Sequence, residues 1–132
     1  MRKILLLLSV VLVAAAVLTG CGEQEEKMDT GKYKKIGAEE AKKIMDSEEV
    51  IVLDVRTQDE YDQGHIPGSV LLPVDEISAK AVQVLSERDA KILVYCRSGN
   101  RSAAAARTLI DMGYTNVYDF GGINDWPYET VK

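Results

Sequence analysis

The pattern of apolar and polar positions predicts strands that alternate with helices. Two apolar runs rich in β-branched residues, 50–55 with Asp54 as its one polar residue and 92–95, are typical of strands buried on both faces of a sheet. Shorter strands are predicted at 33–36, 69–72 and 116–120. Helical patterns lie between them at 38–45, 58–61, 74–85 and 102–112.

This alternation indicates an α/β fold with a parallel sheet covered by helices on both faces. In such folds ligands bind beyond the carboxyl ends of the strands. Cys96 directly follows the predicted strand 92–95. We therefore expect its thiol to lie at the ligand-binding edge of the sheet.

The apolar run at the start of the chain has a different character. Arg2 and Lys3 precede residues 4–18, in which only Ser9 is polar. A helix of this length is too short for a permanent membrane span, so an export signal is the favoured interpretation. The sequence Leu-Thr-Gly-Cys that ends at Cys21 resembles a bacterial lipobox, which implies cleavage before Cys21 and lipidation of that residue. A plain signal peptide followed by a chance cysteine is the alternative.

Three segments follow from this pattern. Residues 1–20 are predicted to be a lipoprotein signal peptide, 21–32 a lipidated N-terminus with a polar, flexible tether, and 33–132 a single domain. Acyl chains on Cys21 would anchor the mature protein to a membrane. The expected location is the bacterial cell envelope, on the periplasmic side or the cell surface.

Charge and composition disfavour several classes of partner. The 132 residues have a net charge of −5, and without Arg2 and Lys3 the remainder has 14 basic and 21 acidic residues, a net charge of −7. An acidic domain is a poor binder of nucleic acid. Two cysteines and one histidine form no typical zinc-binding pattern, so we expect neither a metal nor another cofactor.

The segment from Cys96 to Ser102 carries the main candidate chemistry. It leaves a buried strand, passes through turn-forming residues and enters an alanine-rich helix. A backbone curled by Ser98, Gly99 and Asn100 would direct its amides inward to an anion, which can be the Cys96 thiolate itself. A helix N-terminus and neighbouring arginines lower a thiol pKa. The alternative is a buried cysteine that acts as a small apolar side chain.

Three motifs together resemble those of the single-domain rhodanese family, the thiosulfate sulfurtransferases. The first consists of Asp-Val-Arg at 54–56, Glu-Tyr at 60–61 and Gly-His-Ile-Pro-Gly-Ser at 64–69. The second is the loop Cys-Arg-Ser-Gly-Asn-Arg-Ser at 96–102, and the third is Gly-Gly-Ile at 121–123 with Trp126. The resemblance covers about residues 34–128.

The resemblance implies a three-layer α/β/α fold with a central five-stranded parallel sheet. It also implies that Cys96 is catalytic and carries sulfane sulfur as a persulfide, from thiosulfate or a similar donor to cyanide or a thiol. The predicted substrate-binding residues are those of the loop: Arg97, Ser98, Gly99, Asn100, Arg101 and Ser102. Arg97 and Arg101 are expected to guide the anionic donor.

Two other functions stay open from the sequence. Phosphatases and arsenate reductases of related fold have a loop one residue longer than the four residues, 97–100, that separate Cys96 from Arg101 here. Rhodanese-like domains also serve as binding or sulfur-presenting modules, so a membrane-anchored module with an unidentified protein partner is the main alternative.

Asp54, Arg56 and His65 are expected near the site in structural roles. Arg56 ends a buried strand, and we predict that it forms an ion pair with Asp59 or Glu60 in the following turn. His65, between a glycine and Ile-Pro, is more typical of a hydrogen-bonding corner than of a catalytic base.

Overall fold

The computed structural model describes residues 32–132. The predicted signal peptide, Cys21 and the tether up to residue 31 lie outside the described residues. Within the described part of the chain, no helix is long and apolar enough to cross a membrane.

Five parallel strands form the central sheet. They are β1 (Lys34–Lys35), β2 (Ile51–Asp54), β3 (Val70–Leu71), β4 (Ile92–Cys96) and β5 (Val117–Gly122). Their spatial order is β1-β5-β4-β2-β3, and every pairing is parallel. The predicted five-stranded parallel sheet is therefore confirmed, with β4 at its centre.

Within residues 32–132 the sheet is accompanied by four helices: α1 (Ala38–Ser47), α2 (Gln58–Gln63), α3 (Ile77–Val84) and α4 (Asn100–Asp111). Two short 3-10 turns occupy Val74–Glu76 and Ile123–Asp125. Buried residues of α3 and α4 cover one face of the sheet, while α1 and the segment around Trp126 cover the other. This is the predicted three-layer α/β/α architecture.

Strand β4 shows why both faces are covered. All five of its residues are buried. Successive side chains of a strand point to opposite faces, so Ile92, Val94 and Cys96 join the core beneath α3 and α4, whereas Leu93 and Tyr95 join the core beneath α1. A strand without a polar face is stable only between two layers, which explains its continuous apolar sequence.

Several predicted boundaries differ from the observed ones. The edge strands β1 and β3 have two residues each instead of four, because an edge strand has a hydrogen-bonding partner on one side only. The predicted helix 74–85 is divided into a 3-10 turn after Pro73 and the helix α3. Helix α4 begins at Asn100, two residues before the predicted start at 102. Gly99 alone supplies the left-handed turn between β4 and the helix, so the residues after Gly99 are already helical.

Candidate active site

Cys96 ends the central strand and lies beneath the loop that follows it. Cys96 is 1% exposed to solvent. The backbone N–H of Gly99 donates a hydrogen bond to its Sγ at 3.0 Å. Cys96 pairs in register with Gly122 at the carboxyl ends of β4 and β5. The thiol therefore occupies the edge of the sheet where ligands of α/β folds bind.

The loop wraps round the sulfur because Gly99 has a left-handed backbone. Gly99 has φ of 106° and is the N-cap of α4. Among the loop residues only Gly99 has a positive φ, so Gly99 alone supplies the left-handed turn. The Gly99 N–H bonds to Sγ, and the backbone of Ser98 and Ser102 also helps to lower the pKa of the thiol. These donors and the positive end of the α4 dipole stabilise negative charge at this point.

The hydroxyl of Ser102 is the side-chain partner of the thiol. The Cys96 Sγ–H donates to Ser102 Oγ at 3.5 Å, and the Ser102 hydroxyl donates to the carbonyl of Gly99 at 3.0 Å. The carbonyl of Gly121 lies 3.5 Å from the same Oγ. Rotation of this hydroxyl allows it to accept from a thiol and to donate to a thiolate.

These contacts determine the ionisation of Cys96. Burial is the largest single influence and raises its pKa, but hydrogen bonds from the Ser102 hydroxyl and from the backbone of Ser102, Gly99 and Ser98 together outweigh burial. The pKa of Cys96 is therefore lowered below its ordinary value. A lowered thiol pKa increases the fraction of thiolate, which is the nucleophilic form.

The carboxyl end of β5 packs closely against the backbone of the loop. A Cβ atom on Gly122 would lie 2.1 Å from the carbonyl oxygen of Arg97, and one on Gly99 would lie 3.6 Å from the Cα of Gly121. The same Arg97 carbonyl accepts a hydrogen bond from the backbone N–H of Asn124 at 3.2 Å. Only glycine at position 122 permits this close approach between the strand and the loop.

Asp119 holds that end of β5 in place. Between Val94 and Cys96 the pairing with β5 shifts register, so that Cys96 lies opposite Gly122. The Gly121 N–H donates to Asp119 Oδ1 at 2.9 Å, whereas Oδ2 is buried without a partner in the described chain. Sequence reasoning missed this role. The available signal was an acidic residue inside an otherwise apolar strand, two residues before the first glycine of the pair at 121–122.

Glu60 and Arg101 connect the two helices that flank the site. Arg101 Nη1 lies 2.6 Å from Glu60 Oε1, and Nη2 lies 3.0 Å from Oε2. Glu60 also accepts from Thr57 in the capping box that begins α2. The hydrogen bond from Arg101 is the main reason that the pKa of Glu60 falls to about 2. Arg101, predicted to guide a donor, is thus already neutralised by a carboxylate.

The predicted ion pair of Arg56 with Asp59 or Glu60 is wrong. Arg56 instead forms a buried pair with Asp54, at 2.7 Å between Nη2 and Oδ2, and donates to the carbonyl of Gly64 at 2.8 Å. An arginine two residues beyond Asp54 can turn back along the strand end, and Glu60 is engaged by Arg101.

Tyr95 completes this buried network. Its hydroxyl donates to Asp54 Oδ2 at 2.7 Å and accepts from the backbone N–H of Ile66 at 3.1 Å. Burial is the main cause that raises the pKa of Tyr95, with the neighbouring Asp54 carboxylate acting in the same direction. The network connects β2, β4 and the turn before β3, and it forms the support beneath one side of the site.

A cavity of about 290 Å³ opens beside the loop. Its lining residues come from the β2 end, α2, the loop and the 3-10 turn after β5: Arg56, Glu60, Gln63, Gly64, Arg97, Ile123 and Asn124. The exposed guanidinium of Arg97 has no ion pair or hydrogen bond within residues 32–132. It is therefore available to an anionic ligand.

His65 contacts Tyr61 of α2 and pairs with Val131 rather than with the loop that carries Cys96. Its ring stacks on Tyr61 at 3.7 Å between centroids, and its Nδ1 is 2.9 Å from the Tyr61 carbonyl. Its backbone pairs with Val131 in both directions. His65 does not line the cavity. Across residues 32–132, no three side chains of His, Cys, Asp or Glu cluster in a way that could hold a metal ion.

Comparison with known proteins adds independent information. The rhodanese-like domain family matches residues 37–128. The putative sulfur carrier protein YrkF of Bacillus subtilis is 36% identical over 111 residues, which cover 83% of this chain and 59% of YrkF. The thiosulfate sulfurtransferase PspE of Escherichia coli is 32% identical over 80 residues, which cover 61% of this chain and 77% of PspE.

Solved structures agree with the fold. The crystal structure of a rhodanese-related protein from Thermoplasma volcanium aligns with a TM-score of 0.66 and 37% sequence identity. The alignment covers 75% of this chain and 98% of that protein. The family match at residues 37–128 includes the strand and loop that carry Cys96.

Proposed function

Because the chain belongs to the rhodanese-like domain family, we propose that it is a sulfurtransferase in which Cys96 carries the transferred sulfur as a persulfide. The observation that carries this proposal is the position of Sγ among backbone N–H donors at the N-terminus of α4, with a pKa lowered by those donors and by Ser102. The donor is thiosulfate or a related sulfane-sulfur compound, and the acceptor is cyanide or a thiol.

The first half-reaction forms the persulfide. The Cys96 thiolate attacks the outer sulfur of thiosulfate, the sulfur–sulfur bond of thiosulfate breaks, and sulfite leaves with the electron pair. The enzyme then holds the outer sulfur on Sγ. This is covalent catalysis by a nucleophile with a lowered pKa. Arg97, exposed and unpaired in the described chain, is the cation placed to attract the anionic donor.

The second half-reaction removes the sulfur. Cyanide or a thiolate attacks the terminal persulfide sulfur, the bond between that sulfur and Sγ breaks, and the Cys96 thiolate is regenerated. Negative charge moves between two neighbouring sulfur atoms during the cycle. The amides of Ser98, Gly99 and Ser102 are fixed around this position, so they stabilise the charge without reorganisation, as the donors of an oxyanion hole do.

Arg101 has a positioning role in this scheme. Its bidentate pair with Glu60 ties the first turn of α4 to α2. The loop therefore keeps its curvature, and the positive charge of Arg101 is balanced before any ligand arrives. Donor attraction therefore falls mainly to Arg97, whereas the sequence-based expectation was that Arg97 and Arg101 both guide the donor.

The proposed cellular location follows from the sequence pattern at the start of the chain. The apolar leader and the sequence Leu-Thr-Gly-Cys before residue 22 support export and lipidation of Cys21, and hence a place in the bacterial cell envelope. Metabolic labelling with radioactive palmitate tests this. Incorporation that is lost in Cys21→Ala supports the anchor, whereas an unlabelled, unprocessed chain contradicts it.

The Cys96→Ser variant tests the enzymatic proposal. The serine hydroxyl replaces a buried thiol of similar size, so the variant should remain folded by circular dichroism while thiocyanate formation from thiosulfate and cyanide falls to background. Activity retained in Cys96→Ser would contradict the proposal. Inactivity of the wild type with a reactive thiol would favour the sulfur-presenting module, and phosphate release from an aryl phosphate would favour the phosphatase.

A further inference from the structure

Helix α2 contributes no side chain to either apolar core of the described chain. None of its six residues is buried, and neither core includes any of them. Helix α4, which carries the active-site loop, instead buries four side chains against the sheet. Apolar burial therefore holds α4 in place, whereas α2 depends on polar contacts that water can replace.

Few polar contacts hold α2 on the rest of the fold. At its carboxyl end, the Tyr61 hydroxyl donates to a backbone carbonyl at 2.8 Å, and the Gly64 carbonyl accepts from a buried guanidinium. Near its amino end, Glu60 forms the bidentate pair with Arg101 of α4. Within residues 32–132 no other side chain of α2 bonds to α4 or to the loop before it. Separation of this one pair would therefore free the amino half of α2 from α4.

The thiol of Cys96 is separated from the cavity that α2 borders. Cys96 is buried and does not line the cavity, although Glu60 and Gln63 of α2 and Arg97 of the loop do. The hydrogen bond to Glu60 is the main cause that raises the pKa of Arg101, and the charge of Cys96 acts in the same direction. Arg101 therefore lies close both to the carboxylate at the cavity and to the sulfur.

We propose that the Glu60–Arg101 pair is a gate that is closed in this structure, and that Glu60 thereby limits the size of the compounds that react with Cys96. When the pair separates, α2 moves away from α4 and the cavity becomes continuous with the space above Sγ. Both side chains are partly exposed, so water hydrates the separated charges and opening costs little free energy. The gate concerns access to Cys96, so it does not depend on whether the protein transfers sulfur or presents it.

Alkylation of Cys96 in the full-length protein, purified in detergent, tests the gate. Iodoacetamide is the small reagent, and monobromobimane is the bulky one. Both are uncharged and both react with the thiolate, so the ratio of their rate constants is insensitive to the pKa of Cys96. Mass spectrometry of the Cys96 peptide distinguishes this reaction from any at Cys21.

Two variants open the gate, and a third is the matched control. Glu60→Gln removes the charge of the pair, and Glu60→Asp keeps the charge but shortens the side chain. Asp62→Asn removes a charge from the same helix, but Asp62 binds Gln58 and does not line the cavity. Because each variant is compared through a ratio of two reagents, a general loss of stability affects both rates alike.

The expected result is a change in size selectivity. Loss of a partly exposed ion pair should raise the ratio of the bimane rate to the iodoacetamide rate about five-fold in Glu60→Gln. The rise should be smaller in Glu60→Asp, and Asp62→Asn should keep the wild-type ratio. An unchanged ratio in both Glu60 variants overturns the inference, and so does an equal rise in Asp62→Asn.

Native-state hydrogen exchange tests the motion in the wild-type protein. The amides of residues 58–64 should exchange through local opening, at rates that low concentrations of urea do not change, whereas buried α4 amides should follow global unfolding. Exchange of α2 only together with α4 would overturn the inference. Both measurements can be made even if no persulfide forms on Cys96, so failure of the gate is distinguishable from failure of the proposed function.

Discussion

Glu60 of α2 and Arg101 of α4, 41 residues apart in the sequence, form a bidentate ion pair at 2.6 and 3.0 Å. Each side chain is about two-thirds or more buried, with exposures of 26% for Glu60 and 33% for Arg101. The pair links the capping box of one helix to the first turn of another. It thus fixes the geometry on both sides of the cavity.

The first prediction concerns acid stability. Glu60 has a pKa of about 2 in the folded protein and an ordinary value of 4.5, so the pair adds stability that is fully present above pH 4.5 and lost as pH falls toward 2. Allowing for solvent screening, we expect Glu60→Gln to destabilise the fold by about 1 kcal/mol at pH 7. The destabilisation caused by Glu60→Gln, measured by urea unfolding, should be less than half as large at pH 3 as at pH 7.

The control for this prediction is Glu39→Gln. Glu39 pairs with Lys43 on α1, but both side chains are about three-quarters exposed. Exposed pairs of this kind contribute little, so stability should hardly change at either pH. An equal, pH-independent loss in Glu60→Gln and Glu39→Gln would contradict the role assigned to the Glu60–Arg101 pair.

The second prediction concerns the nucleophile. Ser102→Ala removes the hydroxyl that helps to lower the pKa of Cys96. We expect the pKa of Cys96 to rise, which reduces the thiolate fraction near neutral pH and therefore slows alkylation there. The measurement is the pH dependence of iodoacetamide alkylation at Cys96, followed by mass spectrometry of the peptide that contains it.

Thr108→Ala is the matched control for Ser102→Ala. Thr108 lies on the same helix and its hydroxyl donates to the carbonyl of Ala104 at 3.1 Å. Removal of this hydroxyl should leave the alkylation profile of Cys96 unchanged. A profile that shifts equally in both variants would indicate a general effect on α4 and contradict the specific contact.

The third prediction concerns the contact between β5 and the loop. A Cβ at position 122 would lie 2.1 Å from the Arg97 carbonyl, and backbone cannot yield as a flexible side chain does. Gly122→Ala should therefore displace the loop and lower sulfur transfer at least about a hundred-fold, since catalytic geometry tolerates little misplacement. Gly37→Ala is the control, because nothing lies within 4 Å of a Cβ there. Similar activities of the two variants would refute this argument.

The fourth prediction assigns a positioning role to Asp119, which is 1% exposed. Asp119→Asn retains an oxygen for the Gly121 N–H, whereas Asp119→Leu leaves that donor unsatisfied. We expect a loss of about ten-fold in kcat/KM for the leucine variant and a raised Cys96 pKa, with most activity restored in the asparagine variant. A folded leucine variant with wild-type kinetics and an unshifted alkylation profile would disprove the role.

The sequence predicted the layers of the fold because its signals are local. The β-branched apolar runs located β2 and β4, and the order of strands and helices predicted a parallel sheet. Edge strands were predicted too long, since their length depends on pairing that no local pattern records.

The site could be predicted only in part. The loop containing Cys96 was found because turn residues, a strand end and a helix start are contiguous in the sequence. The partners of Arg56 and Arg101 were not found, because they depend on which side chains the fold brings together. Asp119 was missed for a related reason. Asp119 acts where the pairing of β4 with β5 shifts register, and strand register depends on tertiary contacts that a local sequence pattern does not contain.

The most direct test of the central claim is the intact mass of the full-length protein before and after thiosulfate, and again after cyanide. The account predicts a gain of one sulfur atom per chain, located on Cys96 by peptide mapping and removed by cyanide. The Cys96→Ser variant should show no gain. A folded protein whose reduced Cys96 gains no sulfur from thiosulfate, or gains it at another residue, would contradict the account.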